Sequence, residues 1–127
     1  MRRSFALAAA GALIAFERGD RAVVAIVARA LQRKQVLAVP AGVIGQVWRD
    51  GRRQASLARL LASDLVEIEP LDDARARAAG QLCGATRTSD VIDASVVLCA
   101  RARGHGVLTS DPDDLTRLDG TLRIERV

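Results

Sequence analysis

The sequence predicts an α/β protein: a three-layer α/β/α sandwich built on a five-stranded parallel sheet. Three observations predict it. Short apolar runs alternate with amphipathic helical stretches along the whole length. Capping and turn residues separate them at nearly every junction. The chain of 127 residues, half of them hydrophobic, is long enough for one domain with a core, residues 1–127, and too short for two.

The elements follow in order. Residues 5–9 read as a first strand, leading into a short helix at residues 12–16. The same start, two arginines before an alanine-rich run, also resembles a secretory leader, although it is too short to span a membrane. Removing it would take the first strand from a small domain, which argues against cleavage. Asp20 caps a helix over residues 21–33, whose stripe of Val23, Ile26, Val27, Ala30 and Leu31 faces inward. A strand at residues 36–39 precedes Pro40, which opens another helix that ends at Gly51. Trp48, the only tryptophan, is either core or an exposed anchor in a partner contact. A helix over residues 54–62, a strand at 65–68 and an alanine-rich helix at 72–82 capped by Gly84 come next. A buried helix starting near Asp90 ends at Gly104, and a strand at 107–109 follows. A helix at 113–118 and a strand at 122–127 close the chain.

Composition narrows the function. Aromatic residues make up only 2%, so Leu, Val, Ile and Ala must form the core. Cys83 and Cys99 form no CxxC pair and read as buried thiols in a reducing, cytoplasmic compartment. Two cysteines and one histidine make a zinc site improbable. The net charge of +4 is carried by arginine, with Lys34 the sole lysine. A basic surface around an acidic pocket suits nucleic acid as partner.

The acids concentrate in residues 86–115, TRTSDVIDASVVLCARARGHGVLTSDPDDL. Asp90 and Asp93 lie one helical turn apart and share a face. Asp111 ends the fourth strand, where sites of open α/β sheets lie. Converging carboxylates are what a magnesium site needs. Each acid taken alone is a good helix cap instead. His105, between two glycines, reads as a turn residue, and no Ser-His-Asp or Cys-His set is available.

VIDASVVLCARARGHGVLTSDPDDL, AGALIAFERGD and VPAGVIGQVWRDG together resemble the PIN-domain family, and within it the VapC-type toxins of bacterial toxin–antitoxin pairs. The resemblance covers almost the whole chain. It implies a compact α/β sandwich and a Mg2+- or Mn2+-dependent endoribonuclease. It also implies a homodimer inhibited by a cognate VapB-like antitoxin, with no membrane partner. Asp93 and Asp111 match two of the family's acids, Asp90 is a neighbouring candidate, and Asp114 is a weaker one. Two positions depart from the pattern. Ala9 stands where the family has an Asp, and Gln46 where it has a Glu, with Glu17 as a substitute for the latter. Ala9 is either an introduced change, since an active toxin poisons its host, or a natural degeneracy.

The catalytic and metal-binding expectation is therefore Asp93, Asp111 and Asp90, with Arg49, Arg52, Arg53 and Arg87 holding RNA. Cleavage is expected to be impaired by Ala9. The alternative is an inactive module that binds antitoxin or RNA without cutting. A haloacid-dehalogenase-like phospho-acceptor is disfavoured, because it needs an Asp at the first strand and a nearby Lys.

Overall fold

The computed structural model describes residues 7–127, with backbone alone for Leu7 and Ala8. The leader reading and the start of the first strand, at Phe5 and Ala6, lie outside the described residues. In chain order the elements are β1 (Leu7–Ala8), α1 (Ala10–Glu17), α2 (Arg21–Gln32), β2 (Leu37–Pro40), α3 (Ala41–Val47), α4 (Ala55–Leu61), β3 (Val66–Glu69), α5 (Asp73–Thr86), α6 (Val91–Arg103), β4 (Val107–Thr109), α7 (Pro112–Leu118) and β5 (Ile124–Arg126).

The fold is mixed α/β, and the expected sandwich on a full five-stranded parallel sheet is corrected. Two short parallel pairs carry the strand pairing. β2 and β3 match over four register positions, Leu37 with Val66 to Pro40 with Glu69, and β4 and β5 over three. The two-residue β1 lies between the pairs, giving the order β3-β2-β1-β4-β5. Among the described residues it meets β2 at one register position and β4 at two. The outer strands are also open: Glu67 and Ile68 of β3, and Glu125 and Arg126 of β5, are exposed. Among the strands whose burial is described, β2 and β4 are buried along their whole length and β3 and β5 are not.

The helices form for local reasons. Asp20 caps α2 by accepting from Val23 N at 3.1 Å, and Asp72 caps α5 by accepting from Arg75 N at 2.8 Å. In α2 the buried residues Val23, Val27 and Ala30 keep the predicted stripe. Each such valine contributes on the order of 1.5–3 kcal/mol by leaving water. α5 runs through Gly84 to Thr86, and Arg87 (φ 56°) takes the left-handed cap instead of the glycine. α3 stops at Val47 rather than Gly51, because Trp48 turns extended. α6 is the central helix, with Ala94, Val96, Val97 and Cys99 fully buried, and it ends at Gly104 (φ 65°). Burial, and then Glu69, pushes the Cys99 thiol up to about 12, so it is an inert packing group. Among the described residues no helix is long and apolar enough to cross a membrane.

The α7–β5 turn is held by Asp119. It accepts from Thr121 Oγ1 at 2.6 Å, Thr121 N at 2.8 Å and Arg101 Nε at 2.7 Å. The Thr121 hydroxyl first, then Arg101, lowers its carboxyl to about 2. A depressed carboxylate stabilises the fold above its ordinary value of 3.8, and that stability is lost as pH falls toward 2. Asp119→Ala should therefore flatten the acid limb of stability against pH. Its cost, measured by urea unfolding at neutral pH, should be on the order of 1–2 kcal/mol. An unchanged acid limb would remove Asp119 from this role.

Candidate active site

The acids gather where α6 begins and where β4 passes into α7. Asp90 is the N-cap of α6, and its Oδ1 accepts from Asp93 N at 2.9 Å. The capping role foreseen for Asp90 is thus real. Asp111 is the N-cap residue of α7 by position, but its side chain makes no capping hydrogen bond. Its own N–H donates to Thr109 Oγ1 at 3.0 Å, which leaves the carboxylate uncommitted to the helix.

Electrostatics ties the four acids together. Asp93 is half-buried, and its pKa rises to about 6. Burial is the largest cause, followed by the charges of Asp90, Asp114 and, more weakly, Asp111. Asp111 is itself raised, first by hydrogen bonding and repulsion from Asp114. Asp93 thus responds to acids of two chain segments, and Asp111 to Asp114. Sequence ranked Asp114 lowest, but it is the acid that both Asp93 and Asp111 respond to. Its position, three residues after Asp111 on one helical face, was the available signal.

An open cleft of about 430 Å³ lies over this cluster, lined by Asp90, Asp93 and Asp114 with Arg87 and Arg117. Thr88 and Ser89 add hydroxyls to its wall. Asp111 lies just off the lining. Arg117 reaches Asp114 at only 3.9 Å and is mostly exposed, a loose pair. Arg117 was not foreseen as a site residue; like Asp114 it comes from α7, one turn along.

The family resemblance implies Mg2+ or Mn2+. The donors suit a hard divalent cation in kind, since all are carboxylate oxygens. They suit it only partly in arrangement. Among the described residues no group of three or more His, Cys, Asp or Glu is set to hold a metal ion. The position that would complete the set is Ala9. It is the N-cap of α1, and its N–H donates to Leu108 O at 3.0 Å, beside the end of β4. The methyl group there is buried and offers no ligand.

The other anticipated partners lie elsewhere. Glu17 Oε1 accepts from Gln54 Nε2 at 2.7 Å, so its carboxylate is engaged away from the acid cleft. Gln46 and Glu17 line a separate groove of about 460 Å³ with Arg18, Arg49, Arg53 and Gln54. The arginines divide. Arg87 stands at the acid cleft and Arg53 at the second groove. Arg52 is almost fully exposed and pairs loosely with Asp50 at 3.5 Å. Arg49 caps α3, donating to Gly45 O at 3.1 Å and Trp48 O at 2.7 Å. His105 occupies the α6–β4 turn, its N–H bonded to Ala100 O at 3.1 Å. Compared with models of known families and with curated proteins, the chain matches none.

Proposed function

We propose that the chain is a divalent-metal-dependent endoribonuclease of the toxin type whose hydrolytic site lacks one carboxylate at Ala9. The observation that carries this reading is the cleft lined by Asp90, Asp93 and Asp114, where the carboxyls of Asp93 and of Asp111 are raised by neighbouring acids. Asp93 and Asp111, with Asp90 beside them, would hold Mg2+ or Mn2+. Such an ion, when bound, supplies an activated water at neutral pH and neutralises charge on the phosphoryl oxygens.

The chain's own groups do the rest. Repulsion among the carboxylates favours uptake of positive charge. Asp90 holds Asp93 by its backbone N–H, so the helix start keeps the acids on one face. Arg87 and Arg117 on the cleft wall offer donors to a phosphodiester. The reading brings with it a VapB-like antitoxin and a homodimer. The apolar patch of exposed Trp48 and Ile68 with half-buried Ile44 and Leu61 supports a protein partner of that kind.

A second reading, a module that binds RNA or antitoxin without cutting, is favoured by one observation. No three metal-ligating side chains converge among the described residues. The two readings separate on RNA incubated with Mg2+ or with chelator, using the chain as given and an Ala9→Asp variant. Metal-dependent cleavage that appears with the added carboxylate supports the first. Binding without cleavage in both proteins leaves the second.

A further inference from the structure

Gln54 is buried, and its amide uses both ends. Oε1 accepts from Arg49 N at 2.8 Å and Asp50 N at 3.0 Å. Nε2 donates to Val47 O at 2.9 Å and Glu17 Oε1 at 2.7 Å. One side chain thus ties α1 to the end of α3 and sets the course of residues 48–53. The groove this creates is not isolated. A neighbouring hollow lined by Gly11, Asp20 and Ser110 shares Ile14 and Arg18 with it. Ser110 directly precedes Asp111. The two hollows thus adjoin as one channel along α1, from Arg53 past Arg18 to the residue before Asp111.

The charges in this channel are unevenly committed. The carboxylates beside it each accept a hydrogen bond: Glu17 from Gln54 Nε2, Asp50 from Arg52 N at 3.0 Å, Asp20 from Val23 N. The side chains of Arg18 and Arg53 are exposed and take part in no ion pair or hydrogen bond among the described residues. Two forked cations along one channel suit successive phosphates of an extended single strand.

We propose that this channel is the track for single-stranded RNA approaching the acid cleft, with Arg18 and Arg53 its phosphate contacts and Gln54 the residue that positions the Arg53 loop. The inference rests on the ribonuclease reading and adds the route of the substrate. It is tested on the full chain with a fluorescent 2′-O-methyl oligonucleotide, which resists cleavage, by anisotropy over a salt series. Arg18→Ala and Arg53→Ala should each lower the slope of log affinity against log salt by about 0.7, one single-strand phosphate contact. Arg29→Ala, on the exposed face of α2, should leave it unchanged. Gln54→Met removes all four hydrogen bonds at nearly constant volume. It should lower the slope as Arg53→Ala does, and adding Arg53→Ala to it should change nothing more.

An independent further drop in the combined variant overturns the positioning role of Gln54, because a purely structural residue would leave the Arg53 contact intact. Unchanged slopes for Arg18→Ala and Arg53→Ala, with RNA still bound by the parent, overturn the track and leave the ribonuclease reading standing. Failure of the parent to bind the oligonucleotide at all overturns both.

Discussion

Ala9→Asp should raise Mg2+-dependent RNA cleavage on the order of a hundredfold over the chain as given, the scale on which metal-site partners act. The backbone is ready for it. Position 9 has φ −83° and ψ 172°, the extended geometry of an N-cap, and no side chain caps α1. Its carbonyl already accepts from Ala12 N at 3.1 Å and Leu13 N at 3.3 Å. Aspartate is among the best residues for such a cap, worth about 1 kcal/mol over alanine. The position is also anchored to β4 through Leu108, next to Ser110 and Asp111. A carboxylate there adds charge to a cluster that already resists ionisation, so Mg2+ should raise the melting temperature of the variant more than that of the parent. Discontinuous RNA-cleavage assays with and without chelator check the activity. Equal cleavage by both proteins, or cleavage that survives chelation, would sink the metal-site assignment.

Asp93→Asn should stabilise the protein at neutral pH and abolish cleavage in the Ala9→Asp background. The sign follows from the raised carboxyl. Between its ordinary value of 3.8 and about 6 the folded chain binds more protons at Asp93 than the unfolded chain does. The stability associated with the protonated acid is thus complete below the lower value and is lost as pH rises through the upper one. Asparagine removes the repelled charge. A shift of this size corresponds to about 3 kcal/mol. For a half-buried group open to solvent screening, roughly 1–2 kcal/mol remains. Urea unfolding should show the parent losing stability from pH 4 to pH 6, where the variant stays flatter. A variant less stable than its parent would mean that Asp93 is a structural acid and not a strained one. Retained cleavage would exclude it from the site.

A gain in stability with a loss of activity is the signature of charge held together for a purpose. A capping residue behaves in the opposite way. Asp90 should do so, since it accepts a hydrogen bond from Asp93 N and its loss would uncap α6.

Much of the local structure was legible. The caps at Asp20 and Asp90, the stop at Gly104 and the inward stripe of α2 follow from local sequence, because each depends on residues within a turn or two. The shared face of Asp90 and Asp93 at the start of α6 was also readable, from their spacing of one turn. Other features were not. The extent of the sheet was overestimated, because strand propensity does not count partners. β3 and β5 show alternation or β-branching, yet Glu67, Ile68, Glu125 and Arg126 stay exposed.

The sequence by itself determined the order of helices and strands and the acidic helix starts, since these depend on residue type and short spacing. Only the tertiary structure decided which acids act on which. It set Asp114 near enough to act on both Asp93 and Asp111, and it engaged Glu17 with Gln54 instead. It also gave Gln54 its role and Arg18 its place in a channel. The physical reason is distance along the chain: Gln54 meets Glu17 across 37 residues, a contact that no local pattern encodes.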